Sequence, residues 1–271
     1  MEFQGVLRKM ATQIGAPIQY YLVLGDHPIN MNQLLDQSLS IGFVGYECLN
    51  CGSDAPIFRQ GFCKTCFFEA PQAADWIIRP ELSQAHLGIE DRDLAYEQKM
   101  QLQPHVVYLA NSSNVKVGVT RLSQVPTRWI DQGAHEALPI VEVPNRYLAG
   151  IAEVALKDYV ADKTNWRAML KNEIKDVDLA AWQQKLISFL PEEVKPYVTD
   201  GQETHLEFPV LKYPEKPKSL NLGKTPNYTG MLKGIKGQYL IFEDDTVFNV
   251  RSNEGLIVTL SVWKTIAQPL N

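Results

Sequence analysis

All four cysteines of the chain fall in two CxxC pairs, Cys48-Leu49-Asn50-Cys51 and Cys63-Lys64-Thr65-Cys66, with eleven residues between them. Two such turns bring four sulfurs close enough for a tetrahedral Zn²⁺ site, and Gly52 with Gly61-Phe62 lets the backbone turn back beneath the metal. A pair of disulfides is the alternative use of this spacing, and it belongs to oxidising compartments. The N-terminal stretch MEFQGVLRKM lacks a positive region followed by a long apolar core, and no run of about 18 uncharged apolar residues occurs. The expectation is therefore a cytoplasmic chain without secretory signal or membrane span, and zinc is the preferred reading. Four thiolates leave no coordination position open, so the ion is expected to be structural, replacing the core that so short a knuckle cannot build.

With 271 residues and 45% apolar content, the chain has material for about two domains. A net charge of −5 argues against a nucleic-acid binder that uses its whole surface, because phosphate neutralisation needs clustered Lys and Arg. Charge is uneven, however. From His105 to Lys175, nine Lys/Arg face seven Asp/Glu, a local balance of +2 that leaves −7 elsewhere. Any contact with DNA or RNA is expected in this segment.

Alternation and turn residues divide the chain into six segments of an α+β protein. Residues 1–46 form an N-terminal β-module, with strands at Gly5-Val6-Leu7, Ile18 to Leu24 and Ser40 to Tyr46. The zinc knuckle occupies 47–70 and a connector 71–104. In the connector Glu81, His86, Asp91 and Asp93 follow no metal-ligand spacing, and Leu94, Tyr96 and Met100 suggest a short helix with a solvated face. His86 lies beside Gly and Pro turns, where polar residues often serve function. Residues 105–190 form a central α/β module, opened by a hairpin in which Val115, Val117 and Val119 alternate after a polar turn at Asn111 to Asn114. A helix between Pro126 and Gly133, a strand from Pro139 to Val143 and a helix from Ala149 to Val160 follow. Helix or turn is expected over Asp162 to Asp176, then an amphipathic helix over 178–190.

Residues 191–227 hold six prolines and read as a linker, with an edge strand at Leu206 to Phe208 or Val210 to Leu211. Residues 228–271 form a second β-module. It echoes the first: Gly5-Val6-Leu7-Arg8 matches Gly230-Met231-Leu232-Lys233, Gln19 to Val23 matches Gln238 to Phe242, and Ile29 to Met31 matches Phe248 to Val250. A duplication would let the two ends pack together, since three strands alone bury little.

The order Tyr108, Lys116-Val117-Gly118-Val119-Thr120, Arg128, Glu153 and Asn165 resembles the GIY-YIG nuclease superfamily, which includes homing endonucleases and an excision-repair nuclease subunit. The resemblance is to its divergent phage-type branch. The CxxC pairs, Pro80 to Gly88, Val115 to Arg121 and Arg128 to Ala134 together resemble a bacterial domain-of-unknown-function family, numbered 2797. The nuclease resemblance implies a GIY-YIG-like fold for 105–190 and metal-dependent phosphodiester hydrolysis. Glu153 would bind Mg²⁺ or Mn²⁺ and Arg128 would grip phosphate; Tyr108 would position or deprotonate water, and Asn165, or in its place Asn172, would orient the Glu153 side. Two positions depart from the pattern: Val106 stands where the family has glycine, and Lys116 where it has tyrosine. Lys116 qualifies as a base only if burial or Arg128 lowers its pKa. The plainer alternatives are a Tyr108 half in the core, an Arg128 paired with Asp131 and a Glu153 on a solvated helix face. They lead to a non-catalytic zinc-containing protein that binds nucleic acid or protein.

Overall fold

The computed structural model describes residues 1–160 and 165–263; the start of the Asp162–Asp176 segment and the last residues of the 228–271 module lie outside them. The chain divides into two units, one formed by Met1–Phe67 with Glu207–Asn271 and the other by Phe68–Leu206. Among the described residues no helix is long and apolar enough to cross a membrane.

In the first unit the chain lays down β1 (Glu2–Val6), β2 (Ala11–Gln13), β3 (Gln19–Leu24), β4 (His27–Asn30) and β5 (Ser38–Tyr46), then β6 (Ile57–Arg59), β7 (Phe62–Cys63) and α1 (Lys64–Glu69). The second unit contributes α2 (Leu94–Gln101), β8 (His105–Asn111), β9 (Val115–Arg121), α3 (Thr127–Asp131), β10 (Glu136–Val143), α4 (Arg146–Leu156), α5 (Trp166–Leu170), α6 (Leu179–Leu186) and β11 (Thr204–His205). The chain then returns to the first unit with β12 (Lys218–Ser219), β13 (Asn227–Lys236), β14 (Tyr239–Phe242), β15 (Thr246–Asn249) and β16 (Leu256–Trp263).

The strands of the two chain ends join in one seven-stranded sheet, ordered β1-β16-β5-β13-β14-β15-β12. Its centre obeys a pseudo-two-fold relation. Displacing β1 by 225 positions and β16 by 219 turns the pair Glu2↔Ser261 into Asn227↔Gly42 and Val6↔Ile257 into Met231↔Ser38, all of which are observed pairs. Leu260↔Ile41 maps onto itself, and Thr259↔Gly42 exchanges with Ser261↔Ser40. These displacements are those that align the two sequence echoes, so the register repeats where the sequence does. The symmetry stops at the hairpins: β14 and β15 extend the large sheet, whereas β3 and β4 pair with β2 in a separate one.

The second unit is built on an antiparallel sheet ordered β11-β10-β8-β9. One face carries Val107, Leu109, Val115, Val117, Leu138 and Ile140, which pack with Ala149, Ala152 and Leu156 of α4 and Leu179 and Leu186 of α6. The Asn145 side chain caps α4 by accepting from the Leu148 amide at 3.0 Å, which starts the helix at Arg146, earlier than the apolar spacing indicated. β10 likewise begins at Glu136 and not at Pro139, because Glu136, Ala137 and Leu138 pair with the end of β8. The edge strands supplied by the proline-rich segment are Thr204–His205 and Lys218–Ser219, not Leu206 to Phe208; Val210 makes only an isolated bridge, to Gly234. In the connector Glu97 is buried, and its carboxylate accepts the amides of Asp91, Arg92 and Asp93.

Small residues let α4 approach its neighbours closely. A Cβ at Gly150 would collide with the backbone of Pro80 and Glu81, with Glu81 Cα only 2.7 Å away. Gly150→Ala gains helix propensity but forces α4 off the Pro80 turn; the expected outcome is a net destabilisation of about 1–3 kcal/mol. Urea denaturation read at the chemical midpoint checks it, and an unchanged or raised midpoint would show that the contact relaxes without cost.

Candidate active site and metal centre

The cysteine ligand atoms all lie within 4.8 Å of one another, and none is in a disulfide. Zn–S bonds of about 2.3 Å in a tetrahedron place sulfurs roughly 3.8 Å apart, and Cys51 Sγ and Cys63 Sγ are 4.0 Å apart. The Leu49 amide donates to the Gly61 carbonyl at 2.8 Å, tying the two turns together. Gly52 and Gly61 take φ of +71° and +79°, a region that costs glycine nothing. Amides also reach the sulfurs: the Cys63 N–H donates to Cys48 Sγ and the Asn50 side chain to Cys66 Sγ, both at 3.3 Å. Burial pushes the Cys48 thiol up, but backbone amides of Cys51, Cys63 and Asn50 outweigh it and bring the pKa to about 6. At Cys66 the Asn50 amide lowers the pKa, yet desolvation and the neighbouring thiols drive it to about 12. One thiolate forms readily and the last resists ionisation, the behaviour of sulfurs that a cation would ionise together. The four cysteines can thus hold a metal such as zinc.

Tyr108, Lys116 and Gly118 lie on the sheet face opposite the valine core. Tyr108 pairs with Gly118 and Ala110 with Lys116. The phenol lies across β9, where a Cβ at Gly118 would sit 2.7 Å from the hydroxyl, so only glycine fits beneath it. Tyr108 is fully buried and tilted against Trp129 of α3, with ring centroids 5.9 Å apart. Among the described residues no hydrogen bond of good geometry reaches its hydroxyl or the buried Gln132 Oε1, although Gln132 and Arg128 stand close enough to act on the phenol. Desolvation pushes its pKa up to about 12 against the opposing charge of Arg128. Lys116 is 7% exposed, and desolvation, helped by Arg128, lowers its pKa to about 7. Both causes that a base at this position requires are present.

Arg128 projects from α3 and Glu153 from α4, both half-buried. Arg128 acts electrostatically on Tyr108 and Lys116, and Glu153 on Tyr108. The fold thus gathers these four side chains in one neighbourhood. Asn165 has a different setting: its side-chain oxygen accepts from the Arg167 and Ala168 amides at 3.2 Å and caps α5. Asn172 follows α5 with φ of +59°, the left-handed geometry common at helix ends. His86 stacks on Tyr147, with centroids 4.6 Å apart.

Two residues that the motifs did not mark also reach this neighbourhood. Arg146, two helical turns before Glu153, donates to the carbonyls of Trp76 at 3.1 Å and Ile77 at 2.7 Å. Desolvation lowers its pKa to about 10, Glu153 opposes that shift, and Arg121 and Arg128 add to it. The available signal was its place at the start of the helix that bears Glu153. Among the described residues, metal-competent groups of three or more donors are the four cysteines and a set of Glu136, Glu203 and His205. Glu153 belongs to neither, so an Mg²⁺ there would take one protein carboxylate, with phosphate and water completing its shell.

A family model described as Protein of unknown function (DUF2797) matches residues 36–258. The chain belongs to this family. No curated protein and no solved structure matches it. The matched span of this DUF2797 member holds the four cysteines, the hairpin with Tyr108 and Lys116, and the helices with Arg128 and Glu153.

Elemental analysis of protein purified without chelator should find about one zinc per chain, lost in Cys63→Ser; a metal-free wild type would remove the site. Lys116 gives a separate test. Its folded pKa lies below the ordinary 10.5, so burial costs stability fully below about pH 7, and the cost fades as pH rises toward 10.5. Lys116→Met should therefore be more stable than wild type near neutrality and lose that advantage by up to about 1.4 kcal/mol per pH unit in this window. A pH-independent difference would show that Lys116 is not desolvated.

Proposed function

We propose that the second unit is a metal-dependent nucleic-acid phosphodiester hydrolase of GIY-YIG type. The observation that carries this reading is the convergence of Tyr108, Lys116, Arg128 and Glu153 around β9. The order hairpin, helix, third strand antiparallel to the first, then helices supports a GIY-YIG-like module. The local excess of Lys and Arg supports a polyanionic substrate.

In this reading Arg128 binds a non-bridging phosphate oxygen through its forked N–H groups. Lys116, close to neutral at physiological pH, takes the proton of the attacking water. Tyr108, hard to ionise and fully buried, is not that base; it braces α3 through Trp129 and so helps to position Arg128. Glu153 would hold the Mg²⁺ or Mn²⁺, which would supply positive charge against the negative charge that develops on the phosphoryl oxygens. Arg146, anchored by two carbonyls, fixes the height of α4 and the direction of Glu153. Asn165 and Asn172 finish the ends of α5 and are assigned no contact with phosphate. The cysteine knuckle holds structural zinc and adds no chemistry.

Full burial of Tyr108 favours a second reading, a non-catalytic zinc-containing protein that binds nucleic acid or protein. Cleavage of a panel of single-stranded, branched and structured DNA and RNA with Mg²⁺ or Mn²⁺ separates the two. Cutting should fall at least about 100-fold in Arg128→Ala and Glu153→Gln. Salt-dependent binding without turnover would establish the second reading, and turnover that survives Glu153→Gln would sink the assignment of the metal carboxylate.

A further inference from the structure

At the edge of the second unit's sheet opposite β9, strand register creates a side-chain cluster that no motif announced. Glu136 of β10 pairs directly with Asn111 of β8 on one side and with His205 of β11 on the other. Directly paired residues project from the same face of an antiparallel sheet. Asn111, Glu136 and His205 therefore form a row across three strands. Glu203, two residues before His205 in extended chain, joins the same face. Backbone bonds pin the row: the His135 amide donates to the Asn111 carbonyl at 2.7 Å, and the Leu206 amide to the His135 carbonyl at 2.8 Å.

The donor atoms of Glu136, Glu203 and His205 all lie within 4.8 Å of one another. His205 Nε2 is 3.2 Å from Glu203 Oε1, and His205 Nδ1 is 3.8 Å from Glu136 Oε2. The Glu136 carboxylate is buried and oriented from behind, since Asn111 Nδ2 donates to its Oε1 at 2.8 Å and to the Lys175 carbonyl at 2.8 Å. Such support of a ligating carboxylate by a hydrogen-bond donor is what metal sites use to fix ligand direction. The remaining atom of that carboxamide, Asn111 Oδ1, is fully buried and has no hydrogen-bond partner among the described residues. A buried oxygen left without a donor is costly unless something positive or protic meets it.

Other charged side chains stand near the row. Asp178 is a third carboxylate beside Glu203. Its Oδ1 accepts the Ala181 amide at 2.8 Å. The His135 ring faces His205 with centroids 6.4 Å apart. Lys175 offers its carbonyl to Asn111. Two carboxylates held this close need a proton or a cation between them.

We propose that Glu136, Glu203 and His205 form a second metal site, which takes a divalent transition ion of the Mn²⁺ class through two carboxylate oxygens and one imidazole nitrogen. Two hard oxygens with one imidazole suit such an ion, whereas the four thiolates of the first unit select zinc. Glu203 and His205 are exposed, so the remaining positions are open to water or to an oxygen ligand. The site lies on a different edge of the sheet from Lys116 and stands or falls independently of the nuclease reading.

The test titrates zinc-loaded protein with Mn²⁺ and follows free ion by electron paramagnetic resonance. Glu203→Gln and His205→Ala alter exposed side chains and should leave the thermal melt in place. Each should weaken one Mn²⁺ equivalent beyond the roughly 10–100-fold loss typical of a missing outer partner, while Glu153→Gln keeps that equivalent. Mn²⁺ binding that is absent in wild type, or unchanged in His205→Ala, would overturn the proposal and leave His205 as a side chain lying between two glutamates. Loss in Glu153→Gln with retention in His205→Ala would overturn it equally, by placing the ion at the other carboxylate.

Discussion

Because side chains alternate faces along a strand, a slip of one residue in the β8–β9 pairing would lift Tyr108 off Gly118 and drive Lys116 into the valine core. Neither outcome is tolerable: the first leaves a phenol against a side chain that has a Cβ, the second buries an ammonium among methyl groups. Register is therefore held by size at Gly118 and by polarity at Lys116. The same strictness appears in the first unit, where the pairs of β1 with β16 and of β13 with β5 coincide once the two echoes are superposed. A duplicated module preserves its pairing because any other register would exchange its buried and exposed faces.

Register also sets the electrostatics. Once Tyr108 and Lys116 are committed to one face and covered by α3, desolvation decides their protonation: the lysine becomes easier to discharge and the phenol harder to ionise. Both shifts favour neutral groups, which leaves Arg128, Glu153 and Arg146 to carry the charge of the site. Arg146 spends two donors on backbone carbonyls, so it holds α4 against the Trp76 turn while opposing the Glu153 carboxylate. Beside a phenol that stays protonated and a lysine that is easily discharged, Arg128 keeps its positive charge.

Much of this was legible in the sequence where a local pattern had one physical meaning. Valines in alternation after Asn111 to Asn114 specify a hairpin, and paired CxxC turns specify a sulfur cluster. The duplication was legible only as short echoes, because a β-module conserves its faces more than its letters, and register was needed to join them. Asn165 carries two meanings: its interval from Glu153 suggests a site residue, and its side-chain oxygen also caps a helix end, which no interval reveals. Glu203 and His205 were illegible because a two-residue strand inside a proline-rich stretch has too few positions to show alternation. Only the partner strand, which places Glu136 opposite His205, gives that Glu-x-His spacing a meaning.

The second unit's sheet thus sorts charge by strand. β9 carries Lys116 and Arg121 at one edge, while Glu136 of β10, His205 of β11 and the preceding Glu203 occupy the other. A desolvated lysine costs folding energy that an apolar residue there would not, and so do carboxylates held close together. Separation across the sheet keeps each cluster from being neutralised by the other. An ion pair between them would relieve both costs and leave neither edge attractive to a ligand of opposite charge. In the reading proposed above, the fold accepts that cost at both edges, for an anion beside β9 and a cation beside β11.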